Sequence, residues 1–597
     1  MIEEKIKQSL LNSLNQLEIS FKDEDLFVKQ TDSLDRGDYT TSIAMKLASR
    51  LKQNPKEIAQ QIVDNLEKIE DIEKVEIAGS GFINFYLSDK YLLSQIKEIL
   101  DKGGKEYVKS GLKKGKNILI EYTDANPFKV FHIGHLYTNT VGEAFSRLQE
   151  TTGASVKRAS YQGDVGLHVA KTIWGIKYLF GKNNQTFEDI EKLELSKKVE
   201  FLGEAYMIGA QYYDDIKDED VMKEIRNINY YLYQSVCSSL PRKDFEGLNK
   251  IEIDKWYKEG KQWCLDQFEN IYKTLGTQFD YLFFESEAGE IGYKMVKENI
   301  GKIFKEDNKA VIYEGDPNKG LHTRVFINQF GLPTYEAKEV GLVRLKSEKT
   351  KWDESIIITG SEQIPYFKVV LDALRKILPQ YAGIAKHIPH GLISLPGMKK
   401  MSSRRGEVVA GEDLLRTTQN AVQDLMKENK KEIDENELEE ISLKIAVGAI
   451  KYAFLRVSVG KNIVFDISKD IQIDGDTGPY LMYVYTRAKS ILDSAEDFST
   501  QDTHKTEIMS APHIQALMRQ ISRARDTVLD SAVNYSPSTF CTYLFELGQI
   551  FNQFYQEINV LNAENEDRQL LSVLVRATAE IMKEGLYLLG IETVDRM

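Results

Sequence analysis

Residues 118–136 read "ILIEYTDANPFKVFHIGHL". The first six, "ILIEYT", are mostly apolar and β-favouring, the pattern of a strand buried on both faces. From Leu136 to Thr152 the apolar residues return at helical spacing. "ASVKRASYQGD" (154–164) then reads as a second strand. Strand, helix and strand in this order form a βαβ unit and predict an α/β fold built on a doubly wound parallel sheet. Further strands are expected in "FDYLFFESE" (279–287) and "SIIITG" (355–360), and strand, turn and helix in "RVFINQFGLPTYEAKEVGLVRL" (324–345).

Outward from this unit, helical periodicity covers 2–17 and 40–70, and "KVEIAGSGFINFYLSD" (74–89) alternates like a strand pair broken at Gly79 and Gly81. "DKGGKEYVKSGLKKGKN" (101–117) reads as a basic linker. Residues 170–300 are mostly helical and charged, and from Asp413 onward amphipathic helix dominates, apart from ambiguous runs near 462–467. Three units are expected: an N-terminal α+β unit over 1–110, a parallel-sheet unit over 111–410 with a helical insertion at about 175–300, and an all-helical unit over 411–597.

The chain has 597 residues, 42% hydrophobic and 28% charged, which is ordinary for a globular protein that needs no staples. Cys237, Cys264 and Cys541 are far apart and form no CxxC pair, so a disulfide framework and a cysteine-based structural zinc site are not expected. The N-terminus lacks a signal-peptide pattern and no apolar stretch is long enough to span a bilayer, so no membrane association and a cytoplasmic location are expected. The net charge of −13 argues mildly against a polyanionic partner, but a local basic patch can still bind phosphates.

Two of the eight histidines, His132 and His135, flank Gly134 where the strand gives way to the helix. They share a helix face, and the helix start offers free N–H groups and a positive dipole end. Imidazoles there can donate to phosphoryl oxygens, above all to charge developing in a transition state. Gly134 clears room for a ring or phosphate chain against the backbone. The same pattern serves capping or core histidines, and a zinc site would need a third ligand that the sequence does not offer.

A second stretch, "GLISLPGMKKMSSRRGEVV" (391–409), is basic and rich in Gly and Ser. Lys400, Arg404 and Arg405 have the charge to neutralise a triphosphate, and Ser402 and Ser403 can donate to it. Together with H-x-G-H it resembles the two signatures of class I aminoacyl-tRNA synthetases, "HIGH" and "KMSKS", here "KMSSR". Ser403 stands where the second lysine would be. Arginyl-tRNA synthetases share this departure and carry a lysine shortly before HIGH, the place held here by Lys129. "IEYTDANPFKVFHIGHL" (120–136), "PTYEAKEVGL" (333–342) and "LLGIETVDRM" (588–597) also resemble that family.

The resemblance implies an arginine–tRNA ligase with ATP, as its magnesium complex, L-arginine and tRNA(Arg) as substrates, acting as a monomer. It implies catalytic roles for His132, His135, Lys129 and Lys400. It implies an ATP site at His132, Gly134, His135, Gly391, Leu392, Ile393, Lys400, Met401, Ser402 and Ser403. Thr123, Asn126 and Gln363 would hold the α-amino and carboxylate end of arginine, and Glu121, Tyr335 and Glu339 would border its guanidinium. The family's usual aspartate is glutamate at 339. A guanidinium presents five donors in a fixed planar fork, so carboxylates suit it. "DTGPYLMYVYTRAKSIL" (476–492) and "ELGQIFNQFYQEINVL" (546–561) resemble the helical anticodon-binding domain, with Tyr555 and Met597 as an apolar wall for a base and Arg404 and Arg405 also toward tRNA. "LDRGDYTTSIAMKLA" (34–48) and "GSGFINFYLS" (79–88) resemble the family's N-terminal domain, which contacts the outer corner of tRNA. Phe551, Phe554 and Tyr555 at helical spacing equally suit a core. Two rivals stand beside this reading: an H-x-G-H nucleotidylyltransferase with a small acceptor, and a non-catalytic tRNA-binding paralogue.

Overall fold

The computed structural model describes residues 2–31, 33–397, 409–428, 433–494, 507–558, 560, 563 and 565–597. At its centre lies a five-stranded parallel sheet. Its strands are β1 (Asn117–Glu121), β2 (Ser155–Gln162), β3 (Tyr281–Phe284), β4 (Glu354–Gly360) and β5 (Ala385–His390), in the order β5-β4-β1-β2-β3. Ile120 aligns with Arg158 of β2 on one side and with Ile356 of β4 on the other. The chain winds outward from β1 in both directions. The crevice at the carboxyl ends of β1 and β4 is therefore the switch point at which such sheets bind ligands.

Helix α1 (Ile133–Thr151) connects β1 to β2 and is buried along nearly its whole length. Gly142 lets it lie against the sheet, because an added Cβ would sit 2.1 Å from the Tyr122 ring. The other elements that shape the crevice are α2 (Lys250–Thr274), α3 (Glu285–Glu298), α4 (Tyr335–Lys349) and α5 (Ile364–Ile377). Helices α3 and α4 cross at two glycines: a Cβ on Gly292 would meet the Ala337 carbonyl at 1.9 Å, and one on Gly341 the Ala288 carbonyl at 2.0 Å. Together they cover the face of the sheet that carries Leu119, Ala159 and Phe283.

The N-terminal segment forms a four-stranded antiparallel sheet, with Ile72–Ala78 and Phe82–Leu87 as its longest pair. It packs on the C-terminal helices through Asp38 with Arg519, Tyr39 with Asp526, and Glu98 with Arg525 at 2.6 Å. Residues 101–107, read from sequence as linker, are helical. They extend the helix Asp89–Tyr107 across a break at Gly103 (φ 77°). Gly104 beyond the break packs so tightly on Glu580 that a Cβ would lie 2.5 Å from its carbonyl oxygen. This long-range contact is what a local reading of Gly and Lys cannot anticipate.

Helices α6 (Glu435–Leu455) and α7 (Asn565–Leu588) bring the C-terminal part to α1. Lys451 of α6, almost fully buried, donates to the Leu275 carbonyl (2.5 Å) and the Gly590 carbonyl (2.6 Å). Arg147 of α1 donates to the Tyr587 and Gly276 carbonyls at 2.7 and 2.9 Å. Two basic side chains thus donate to the last carbonyls of α2 and α7, Lys451 joining both ends to α6 and Arg147 joining them to α1.

Candidate active site

His132 is the N-cap of α1, with extended backbone (φ −106°, ψ 169°). Its Nδ1 accepts from the Gly134 N–H at 3.1 Å, and Nδ1 of His135 accepts from the His132 N–H at 3.2 Å. The two imidazoles form a reciprocal capping box and stack with centroids 3.7 Å apart. Burial, reinforced by the Lys129 charge, pushes the His132 imidazole down to about 4. Burial, then His132 and Lys129, push that of His135 well below its usual range. Both rings are therefore neutral near pH 7. With each Nδ1 occupied as an acceptor, each carries its proton on Nε2. Gly134 serves a neighbour closer than expected: an added Cβ would lie 2.9 Å from the His132 ring itself.

This helix start is held from two sides. His132 bridges Ala410, Ile133 N–H donates to the Val409 carbonyl at 3.1 Å, and Gly411 N–H to the Phe131 carbonyl at 2.8 Å. The chain leaving the basic stretch therefore lies directly against the paired histidines. Lys400, Met401, Ser402, Ser403, Arg404 and Arg405 themselves lie outside the described residues. Thr138, one turn into α1, lies 2.8 Å from His390 Nε2 at the end of β5. Beyond β5, Gly391 lies against the Lys461 carbonyl, which a Cβ would meet at 1.9 Å. Leu392 N–H donates to Asn462 at 2.9 Å and Ile393 pairs with Ile463. Leu392 leaves an apolar side chain exposed.

Between β1 and α1 the backbone takes positive φ at Thr123 (77°), Asp124 (49°) and Phe128 (65°), a conformation that costs non-glycine residues of order 1–3 kcal/mol each. Packing sustains it. Phe128 stacks on Tyr257 of α2 and fits against Gly260, and its N–H meets Cys264 Sγ at 3.2 Å. Thr123 accepts from Asn139 at 3.0 Å, and Asn126 accepts from the Gly163 N–H at 2.8 Å. The loop ends at Lys129, whose ammonium lies 6.0 Å from the Tyr206 ring and within electrostatic reach of His132, His135 and Glu285.

On the α4 side of the crevice the structure gathers buried charge. Glu121 faces Lys346, with Nζ 2.7 Å from Oε2. Glu339 is buried with Oε1 unpartnered. Burial, followed by the Glu121 charge, pushes its carboxyl up to about 8. Tyr335 is 58% exposed at the mouth, with its ring 4.6 Å from the Lys338 ammonium. Lys338 pairs with Glu285 and donates to the Tyr233 hydroxyl at 3.0 Å. Gln363, in the turn after β4, is exposed. Glu121 and Glu339 thus lie within electrostatic reach of each other, Tyr335 stands beside Lys338, Thr123 and Asn126 lie in the loop after β1, and Gln363 follows β4.

Sequence reading missed Asp164, Glu285, Lys338 and Lys346. Asp164 is fully buried and accepts from Lys261 (2.7 Å), from Tyr257 (3.3 Å), and from the Ser286 N–H and hydroxyl (2.9 and 2.7 Å). It pins α2 and α3 to the end of β2. The only local signal is an acidic residue just past a strand, in "QGD". Asp164→Ala leaves Lys261 without its carboxylate, and breaking such a pair costs about 3–5 kcal/mol. The expected outcome is a fall in denaturation midpoint, read by urea unfolding, at unchanged m-value.

Among the described residues no group of three or more His, Cys, Asp or Glu is placed to hold a metal ion, and no helix is long and apolar enough to cross a membrane. In the C-terminal helices Phe551 and Phe554 are core residues. Tyr555 is half-buried, with the Arg487 guanidinium 4.7 Å from its ring, and Met597 packs beside the same core.

With this geometry in view, residues 95–467 match the family model described as "tRNA synthetases class I (R), catalytic domain". The chain belongs to the arginyl class I tRNA synthetases. Residues 4–87 of this synthetase match the arginyl-tRNA synthetase N-terminal domain, and 481–597 the DALR anticodon-binding domain. It is 28% identical to the arginine–tRNA ligase of Fusobacterium nucleatum over 567 residues, 94% of this chain and 93% of that one. It is 29% identical to a Clostridium botulinum arginine–tRNA ligase over 94% of both chains. The synthetase shares its fold with Thermus thermophilus arginyl-tRNA synthetase (TM-score 0.79, 21% identity, 100% of both chains). It also shares it with the Plasmodium falciparum arginyl-tRNA synthetase (0.78, 19%, covering 100% of this chain and 99% of that one).

Proposed function

We infer that this synthetase is an ATP-dependent arginine–tRNA ligase. The observation that carries the reading is the paired neutral imidazoles, each with an Nε2 proton to donate, at a start of α1 whose own N–H groups are already taken, in the same crevice as a cluster of buried carboxyls. An arginine carboxylate oxygen attacks the α-phosphorus of MgATP, and the bond to the bridging oxygen of pyrophosphate breaks. The 2′-hydroxyl of the terminal adenosine then attacks the arginyl carbonyl and AMP leaves. Positioning and charge stabilisation suffice for such a phosphoryl step, without a covalent enzyme intermediate.

In this account His132 and His135 donate to the α-phosphate oxygens as charge builds there. Lys129 and Lys400 neutralise pyrophosphate. Gly391, Leu392 and Ile393, with Met401, Ser402 and Ser403, bind ATP. Thr123, Asn126 and Gln363 hold the α-amino and carboxylate end, while Tyr335, Glu339 and Glu121 form the guanidinium end. Arg404, Arg405, Tyr555 and Met597 face tRNA. The division is 1–110 for the outer corner of tRNA, 111–410 for catalysis and 411–597 for the anticodon. The enzyme acts as a cytoplasmic monomer, a setting that suits its three unpaired cysteines.

The test is adenylate formation from arginine against citrulline, its neutral isostere, with tRNA(Arg) present. Arginine is expected to be preferred by at least about 10³-fold, because citrulline leaves buried carboxyls unmatched; equal use of the two excludes the assignment. At the other end, deletion of Met597 is expected to lower kcat/KM for tRNA about tenfold, within what one base stack contributes. The melting temperature should not change.

A further inference from the structure

The acidic pocket holds more charge than one guanidinium explains. Glu121 ends β1 on the face covered by α4, and Lys346 reaches it along that face; the two side chains are 2% and 0% exposed. Their contact is an ion pair without hydrogen-bond alignment. Glu339 lies two turns before Lys346, on the same side of α4, and its Oε1 has no partner. Asp124, three residues after Glu121, accepts from the Tyr161 N–H at 2.8 Å and feels Glu121, Lys346 and Glu339 together. Three carboxyls therefore share one low-dielectric volume with one ammonium.

The remaining groups facing Glu339 do not redress this. Glu285, from the start of α3, is already matched by Lys338. Tyr161 of β2 and Tyr366 of α5 contribute phenols that burial, and then the surrounding carboxylates, hold neutral. A buried carboxylate beside a half-buried one, with no cation to match them, is costly enough that the pair takes up a proton instead. Burial and then Glu121 raise the carboxyls of Glu339 and Asp124 in accord with this count.

We propose that Lys346 is the resident cation of the pocket: it matches Glu121 permanently, while Glu339 and Asp124 share one proton until a guanidinium enters and displaces it to solvent. The inference rests on the arginine reading and deepens it. Lys346 acts on the substrate through Glu121 and is a positioning residue. Without it the empty pocket would hold a second proton and the filled pocket would still hold one. A neutral isostere displaces nothing. Because binding expels a proton wherever the empty pocket is protonated, arginine affinity should rise with pH by up to about tenfold per unit and level off above pH 8.

Calorimetric titration of the full chain with L-arginine at pH 7, with tRNA present and absent, in two buffers of different ionisation enthalpy, counts the protons released. About one is expected at pH 7 and about none at pH 9.5. Lys346→Met removes the ammonium that lowers the Glu339 and Asp124 carboxyls, so proton release should persist at pH 9.5, where the wild type releases about none, and Lys346→Arg should restore the wild-type count, with melting temperature recorded for each. Arginine binding without proton release at pH 7 overturns the proposal using the wild-type chain alone. A folded Lys346→Met variant that, like the wild type, releases no proton at pH 9.5 overturns the role of Lys346. No arginine binding under either condition overturns the arginine reading and this inference with it.

Discussion

Lys129→Ala is expected to slow adenylate formation by about 10²–10³-fold while tRNA affinity stays within about twofold. The loss of one preorganised charge from a water-poor site is of this order. Ser403 stands where the family signature has its second lysine, and in the proposed account Lys129 supplies that charge. Its backbone follows three left-handed residues, Thr123 held by α1, Asp124 by β2 and Phe128 by α2, so the loop that carries the charge is set before substrate arrives. Lys129 also helps keep both imidazoles neutral. Its removal therefore lets the histidine pKa values rise, and the acid limb of the activation rate should move to higher pH. Lys129→Arg should recover part of the rate. Pyrophosphate exchange across pH 5–9, with tRNA binding measured in parallel, checks each part. Near-normal exchange by the alanine variant removes Lys129 from the catalytic charge.

Gly134→Ala is the second large effect, of opposite character. Alanine favours a helix over glycine by about 1 kcal/mol, so the melting temperature should hold or rise. The new methyl group, however, would lie 2.9 Å from Cε1 and Nδ1 of His132. The ring must swing away, which breaks its acceptance from the Gly134 N–H and its stack on His135. Both Nε2 donors then lose their aim. Removing one oxyanion-type donor costs about 10²–10³ in rate, and an equal fall is expected in exchange activity. A stable variant with normal activity would mean that the imidazoles do not act from the positions seen here.

The legible parts of the fold were those whose pattern is local. β1, α1 and β2 were readable because burial on both faces leaves an apolar run and a helix shows its period. β5 was not: "AKHIPH" carries a lysine, two histidines and a proline, which an edge strand tolerates. Tyr39–Thr41 is a three-residue strand at the start of a stretch with helical spacing, and it exists through its pairing with Phe82–Leu87 on one side and Lys29–Gln30 on the other. In the site, the histidine pair was plain from spacing. The fit of Gly134 to the His132 ring needed coordinates. So did the ion pairs Glu121–Lys346 and Glu285–Lys338, which join residues far apart in sequence on a helix that looks solvated until its burial is known. Glu121 appeared in sequence as a bare acceptor for a guanidinium; the lysine that already faces it changes what that carboxylate can do.

The most direct measurement is aminoacylation of tRNA(Arg) by the full chain with each of the twenty amino acids, ATP and magnesium. The account predicts arginine-dependent charging, with AMP and pyrophosphate as products and no charging by the other nineteen. Charging by a different amino acid, or none with arginine and matched tRNA, would contradict it.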